Sequence, residues 1–315
     1  MKILNSLLLF LCLIGGTARA NPRDTLLVSF KSEGFRLNGQ VIVPQERKTR
    51  MPAIIFLMGS GGNSSHKGNY KDFLTYFLEQ PFEEGNVALM YFDKRGVNAS
   101  DGKWYQTDFR QRALDAKNAA DYLKTLEFID PEKIFLIGHS QGGWIVQISL
   151  AEYPNTFAGG ISLAGATFGV RTQLTNEFYT ELLCSGKLNK EEAEAKARKK
   201  ANQVLTFTSL LPVKQSWKQL KLIRKFEIKS YLPKIKTPLL LMWAGNDNLV
   251  NPQWCSEALL AIFPQGLPFN FQTHISQGGN HSFKLASLCR DANETKKLYS
   301  QDSRDLMVNW LRKRF

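Results

Sequence analysis

"KIFLIGHSQGGWIVQ" (133–147) is the stretch of sequence that decides the fold. A run of strand-forming residues ends at Gly138-His139-Ser140-Gln141-Gly142, and a helix-compatible stretch follows. A serine between glycines at a strand–helix junction can occupy a sharp turn that lifts its hydroxyl clear of the sheet. The first amide of the helix then points into the same space. We therefore predict that Ser140 is a nucleophile and that the amide of Gln141 is an oxyanion donor; a purely structural turn is the alternative.

A serine nucleophile needs a base, and the base needs a carboxylate that orients it. His281 lies in the glycine-rich loop "SQGGNHSF" (276–283), just beyond a predicted strand. Asp247 follows another predicted strand, in "WAGNDNLVNP" (243–252). The order Ser140, Asp247, His281 is the order that this kind of sheet requires. The alternatives are a loop histidine for His281 and a turn-forming aspartate for Asp247.

A second oxyanion donor is expected from the loop "MGSGG" (58–62), which follows an apolar run. Glycines allow the backbone of such a loop to approach a substrate oxygen closely. We predict that the backbone amide of Ser60 supplies this donor.

The apolar runs predict a mainly parallel sheet with helices on both of its faces, because they alternate with helical patterns. Eight strands are predicted, over residues 24–30, 36–44, 52–58, 86–93, 134–138, 159–165, 238–245 and 269–276. Helices are predicted over residues 72–80, 108–126, 142–153 and 303–315. The fold class is therefore α/β, with one domain over residues 21–315.

Residues 166–236 break this alternation, and we predict that they form a helical lid inserted over the carboxyl edge of the sheet. Helix-forming stretches cover residues 190–205 and 217–232. Residues 186–236 contain fourteen Lys and Arg and four Glu, whereas the rest of the chain is nearly neutral. A uniformly basic nucleic-acid-binding protein has a different pattern, so no nucleic-acid partner is expected. Two interpretations remain open: a solvated helical surface, or a basic lid that attracts anionic substrates or membrane surfaces.

The first twenty residues have the pattern of a cleaved secretory signal: a positive start, an apolar run and a final A-x-A. An uncleaved membrane anchor is the alternative. We expect an exported protein, periplasmic or secreted. Once Cys12 is removed with the signal, Cys184, Cys255 and Cys289 remain, so at most one disulfide can form, and their spacing does not indicate a metal site.

Five stretches together resemble the α/β-hydrolase superfamily, of the esterase/lipase and dienelactone-hydrolase-like kind: "FLMGSGG", "YFDKRGVNASDG", "IGHSQGG", "LMWAGNDNLVNP" and "GGNHSF". The resemblance implies Ser140 as nucleophile, His281 as base, Asp247 as its partner and a lid after the sixth strand. It implies hydrolysis of a small-molecule ester without a metal or organic cofactor. A serine peptidase or acyltransferase on the same fold is one alternative, and a non-catalytic binding protein is another. The oligomeric state stays open.

Overall fold

The computed structural model describes residues 22–47, 50–289 and 298–315. The predicted signal over residues 1–20 lies outside this part of the chain. The described residues confirm the predicted α/β-hydrolase fold, with eight strands in the order β1-β2-β4-β3-β5-β6-β7-β8. β1 and β2 pair antiparallel, as do β2 and β4, and all other neighbours are parallel.

Each predicted strand is present, with bounds that differ by a few residues. The strands are β1 Arg23–Ser32, β2 Phe35–Pro44, β3 Met51–Leu57, β4 Ala88–Phe92, β5 Ile129–His139, β6 Gly159–Leu163, β7 Leu239–Ala244 and β8 Phe271–Ser276. Every residue of β3, β4, β6 and β7 is buried. This burial on both faces explains why these strands are continuous apolar runs in the sequence.

Helices cover both faces of the sheet. They are α1 Lys71–Leu74, α2 Phe109–Lys124, α3 Gln141–Glu152, α4 Val170–Cys184, α5 Lys190–Leu210, α6 Gln215–Ile223, α7 Pro252–Ile262 and α8 Gln301–Arg312. A π-helical turn, Thr75–Glu79, continues α1. One apolar cluster joins the sheet to α2, α3 and α7, and a second joins the opposite face to α1 and α8. No helix in the described part of the chain is long and apolar enough to cross a membrane.

Two helical features differ from the sequence prediction. Helix α7 was not predicted; it begins with Pro252, and the side chain of Asn251 caps it by accepting from the amides of Gln253 and Trp254. The helix predicted over 217–232 is wrong at its C-terminal half, because α6 ends at Ile223. Phe226 instead packs against core aromatic rings of α2 and α3, so the chain leaves the helix to reach them.

Helices α4, α5 and α6 occupy residues between β6 and β7. In α5, buried residues recur at helical spacing: the small residues Ala193, Ala197 and Ala201, followed by Leu205. This stripe lets α5 pack closely against the neighbouring helix, while its charged residues face outward. A disulfide joins Cys184, at the end of α4, to Cys289, with Cα atoms 5.3 Å apart. Cys255 is a buried thiol.

Strand β5 and helix α3 approach each other and β3 very closely at their junction. A Cβ atom added to Gly138 would lie 2.1 Å from the carbonyl oxygen of Gly142, and one added to Gly142 would lie 1.9 Å from the carbonyl oxygen of Leu57. Real Cβ atoms do not approach other atoms so closely. The two outer glycines of the predicted motif are therefore required by the approach of the helix to two strands.

Gly142→Ala is expected to destabilise the protein by about 2 kcal/mol, because an overpacking cost of about 3 kcal/mol outweighs the gain of about 1 kcal/mol that alanine brings to a helix. Urea unfolding measures the difference. Gly85→Ala is the matched control, because an added Cβ there would meet its nearest atom at 3.4 Å. A Gly142→Ala variant as stable as the wild type would contradict the close approach.

Candidate active site

Ser140 lies at the end of β5, where the backbone turns sharply into α3. Its φ is 58° and its ψ is −121°, a conformation that non-glycine residues rarely adopt. Such a conformation costs about 1–3 kcal/mol and is retained where the surrounding structure imposes it. Here the Ser140 amide donates to the carbonyl of Leu163 at the end of β6, at 2.9 Å. The turn is therefore held by the neighbouring strand.

His281 and Asp247 come together on loops that follow β8 and β7. The His281 Nδ1–H donates to Asp247 Oδ2 at 2.8 Å. The other carboxylate oxygen accepts from the amides of Leu249 and Val250, at 2.8 and 2.9 Å. The Asp247 side chain is fully buried, and the His281 side chain is 14% exposed. These contacts fix the carboxylate, which in turn orients the imidazole so that Nε2 keeps its lone pair free.

Two cavities meet at Ser140. The larger, of about 330 Å³, is lined by His281, Tyr70 and Lys284, among others. The smaller, of about 250 Å³, lies on the other side and is lined by Trp144 and by Gln173 of α4. Ser140, Ser60 and Leu249 line both. A substrate bonded to Ser140 can therefore extend in two directions.

Both predicted oxyanion donors lie beside Ser140. Gln141 is the first residue of α3, so its amide has no acceptor within the helix. Ser60 lies three residues beyond Leu57, the last residue of β3, and borders both cavities. The structure thus brings all five predicted site residues to the same edge of the sheet.

The loop that carries Ser60 is clamped by buried polar groups that the sequence did not reveal. The Gly59 amide donates to the Tyr70 hydroxyl at 2.9 Å, and Lys94 Nζ donates to the Gly59 carbonyl at 2.7 Å. Arg112 donates to the Met58 carbonyl and to the Gln141 side chain. Burial lowers the pKa of Lys94 well below its ordinary value and lowers the pKa of Arg112 to about 10.

His139 links this loop to His281. Its Nε2 lies 2.8 Å from the His281 carbonyl oxygen, which can only accept, so Nε2 carries the proton. Nδ1 is then an acceptor, and the Tyr70 hydroxyl donates to it at 2.7 Å. A hydrogen-bonded chain therefore runs from Gly59 through Tyr70 and His139 to the backbone of His281. Burial, with a contribution from His281, lowers the pKa of His139 to about 3, which keeps the ring neutral.

The remaining histidines, His66 and His274, line neither of the two cavities at Ser140. His66 is buried and its Nδ1 lies 3.2 Å from Asp93, while His274 is on β8, as predicted. Across residues 22–47, 50–289 and 298–315, no group of His, Cys, Asp and Glu side chains is arranged to hold a metal ion. The described site consists of hydroxyl, imidazole, carboxylate and amide groups, which together can perform acyl transfer.

The sheet, the strand-end turn at Ser140 and the flanking helices define an α/β hydrolase. Residues 52–283 match the family described as serine aminopeptidase, S33, and the chain belongs to this family.

Several known proteins are similar to the chain. Mouse (Mus musculus) serine hydrolase BPHL is 25% identical over 287 residues, which cover 89% of each chain. Poly(3-hydroxyalkanoate) depolymerase C of Paucimonas lemoignei is 24% identical over 158 residues, which are 50% of this chain and only 35% of the depolymerase. The Pyrococcus furiosus esterase PF2001 superposes with a TM-score of 0.62 at 18% identity, over 92% of this chain and 90% of the esterase. That structural likeness concerns the fold.

The buried, neutral His139 predicts a pH dependence of stability. Its folded pKa of about 3 lies below the ordinary value of 6.5, so below pH 6.5 the unfolded chain binds a proton that the folded protein does not. This residue therefore lowers the free energy of unfolding as the pH falls from 6.5 toward 3, by roughly 1 kcal/mol for each pH unit. We expect a shallower pH dependence in His139→Gln, measured by urea unfolding from pH 7 to pH 4.

The control for this measurement is His274→Gln, because His274 is only half-buried. This variant should follow the wild-type pH dependence more closely. An unchanged slope in His139→Gln would show that His139 is not kept neutral by its surroundings.

Proposed function

We propose that the protein hydrolyses carboxylic esters through an acyl-enzyme formed on Ser140. The observation that carries the proposal is the His281–Asp247 hydrogen bond of 2.8 Å, in a cavity that Ser140 also lines. A serine on a strained turn, a histidine in a fixed tautomer and a buried carboxylate together supply nucleophile, base and orienting group.

The reaction then proceeds in two halves. His281 Nε2 takes the proton of Ser140 as its Oγ attacks the ester carbonyl, and Asp247 stabilises the imidazolium that forms. The amides of Gln141 and Ser60 donate to the oxyanion of the tetrahedral intermediate. His281 returns the proton to the departing alcohol. Water then attacks the acyl-enzyme, with His281 again as the base, and the acid is released as Ser140 regains its proton.

The clamped loop supports the assignment of Ser60. Lys94 and Arg112 hold the carbonyls of Gly59 and Met58, and Tyr70 holds the Gly59 amide. With these groups engaged, the next free backbone donor toward Ser140 is the Ser60 amide. A preorganised donor stabilises developing charge without reorganising during the reaction.

The lid that we propose over residues 166–236 supplies one wall of the smaller cavity. Gln173 and Glu177, both on α4, line it opposite the core residues Trp144 and Val250. The two cavities, of about 330 and 250 Å³, fit acyl and alcohol groups of modest size. We therefore propose a small-molecule ester as the substrate.

We also propose that the protein is exported, to the periplasm or beyond the cell, after removal of residues 1–20. The Cys184–Cys289 disulfide supports this, because disulfides persist in oxidising compartments and are rare in the cytosol. The buried Cys255 does not depend on the compartment, since burial raises the pKa of its thiol to about 12 and makes it unreactive.

Ser140→Ala is expected to lower kcat for a p-nitrophenyl ester at least about 10⁴-fold, because the nucleophile is lost while the fold stays intact. Release of p-nitrophenolate measures the rate. Ser29→Ala, on the exposed side of β1, is the matched serine control and should retain wild-type activity. A fluorophosphonate probe should label the wild type at Ser140. A folded wild type that is not labelled would instead be a binding protein.

A serine peptidase is the second candidate, favoured by Glu177. Its carboxylate lines the cavity on one side of Ser140, where it can pair with a substrate amine. The comparison of an aminoacyl p-nitroanilide with an uncharged acyl p-nitrophenyl ester decides between the two. If kcat/KM is larger for the anilide than for the ester, and Glu177→Gln removes this preference, the protein is a peptidase and the ester proposal is wrong.

Export predicts that the purified protein lacks residues 1–20 and is found in the periplasmic or culture fraction when it is expressed in a bacterium with its own N-terminus. Intact mass measures the cleavage. Alkylation under denaturing, non-reducing conditions should modify one cysteine, Cys255. An Ala20→Tyr variant, which obstructs the cleavage site, is the control and should keep residues 1–20. A full-length wild type in the cytoplasmic fraction would refute export.

A further inference from the structure

The tip of the α5–α6 hairpin exposes a concentrated apolar surface. Twelve large apolar side chains are exposed in the described part of the chain, and five of them fall within sixteen residues: Phe207, Leu210, Leu211, Val213 and Leu222. Leu210 is 74% exposed and Val213 is 70% exposed. We call these five residues the apolar tip. Exposing them to water is unfavourable, and a contiguous patch of this kind marks an interaction surface.

The apolar tip is a defined structure. Leu210 ends α5, and Lys214 precedes the first residue of α6, so the chain reverses within a few residues. The rings of Phe207 and Trp217 meet across the reversal, with centroids 5.4 Å apart. The Val213 amide donates to the Leu211 carbonyl at 2.9 Å. These contacts hold the aliphatic side chains outward on a helical hairpin.

Cations surround the apolar tip. Lys214, Lys218 and Lys221 recur at helical spacing along one side of α6, and all three are exposed. The ammonium groups of Lys214 and Lys218 lie over the rings of Trp217 and Tyr105, at 5.2 and 5.6 Å. Residues 195–226 contain nine Lys and Arg and no Asp or Glu. The basic character of the segment is therefore concentrated where the apolar side chains are exposed.

Exposed apolar side chains next to lysines favour some kinds of binding partner over others. A second copy docked through the same surface would bring two sets of cations together without an acid to offset them, which opposes self-association. A nucleic acid would engage the lysines but gain nothing from exposed leucine and valine side chains. An anionic lipid bilayer satisfies both, because its headgroups attract the lysines and its acyl region accepts the aliphatic groups.

We infer that the apolar tip and its lysines dock the protein on the surface of anionic phospholipid membranes. This inference goes beyond the proposed ester hydrolysis and does not depend on it. Helix α6, which carries Leu222 of the tip, contacts the segment beside the Ser60 loop. The Gln219 side chain of α6 donates to the Trp104 carbonyl at 3.5 Å, and the Trp104 indole lies against Gly62. Docking would therefore place the Ser140 side of the sheet near the membrane.

The test is co-sedimentation of the full mature protein with vesicles of phosphatidylcholine containing 30% phosphatidylglycerol, and with vesicles of phosphatidylcholine alone. We expect binding to the anionic vesicles that weakens as salt is raised. Replacing Lys214, Lys218 and Lys221 together by Gln should lower the partition coefficient about 100-fold. Replacing Leu210, Leu211 and Val213 together by Ser should lower it at least about 10-fold.

Matched controls carry the same changes elsewhere on the surface. One control, the double variant Leu27→Ser/Leu260→Ser, removes two exposed leucines. The other, Lys31→Gln/Lys313→Gln, removes two exposed lysines. Both double variants should bind vesicles like the wild type. Circular dichroism shows that every variant is folded, and hydrolysis of a soluble p-nitrophenyl ester adds a second check for the variants that keep Ser140. Ser140→Ala should bind vesicles normally, which separates docking from catalysis.

Three outcomes would overturn the inference. One is equal sedimentation of the wild type and both triple variants. Another is that the protein binds a DNA or RNA duplex more tightly than the anionic vesicles, and that the Leu and Val substitutions do not weaken the binding to nucleic acid. The third is a concentration-dependent dimer, detected by sedimentation velocity, that the Ser substitutions dissolve.

Discussion

The steric contact between the start of α3 and the end of β3 is the constraint on which the site depends. Gly142 lies so close to the Leu57 carbonyl that only a glycine fits there, and Gly138 packs equally closely against Gly142. The turn at Ser140 and the loop that carries Ser60 begin on opposite sides of this contact. Because strand and helix cannot move apart without losing it, the same packing that strains Ser140 also fixes the distance between Ser140 and the loop that carries Ser60.

Buried charge rigidifies the loop beside this contact. Lys94 and Arg112 are both removed from water, which disfavours their charged forms and lowers the pKa of each. Each donates to a backbone carbonyl of the loop, at Gly59 and at Met58. Hydrogen bonds from charged donors are stronger than neutral ones in such surroundings. The desolvation of two cations is therefore offset in part by bonds that hold consecutive peptide groups in one orientation.

The features that were predicted correctly from the sequence are those that local residue patterns encode. All eight strands and the strand-end positions of Ser140, Asp247 and His281 follow from apolar runs that end at glycine or polar turns. Tyr70 and Arg112 were not predicted, because their roles arise from contacts with residues dozens of positions away, and no local pattern marks them. The predicted continuation of α6 to residue 232 was wrong for the same reason: helix propensity is local, whereas the packing of Phe226 on Phe109 and Trp144 is not.

The disulfide closes a loop of the chain that contains Asp247 and His281 but not Ser140. Cys184 and Cys289 are 105 residues apart in sequence, and the segment between them includes α5, α6, Asp247 and His281, whereas Ser140 lies outside it. Closing a loop of this length restricts the unfolded chain strongly, by about 4.7 kcal/mol in the chain-entropy description. Within the folded protein, the bond ties the end of α4 to the segment that follows His281. His281 and Asp247 thus lie in the same covalent loop as α5 and α6, while Ser140 is held outside this loop, at the junction of β5 and α3. The two parts meet where His139, the residue before Ser140, donates from Nε2 to the His281 carbonyl oxygen.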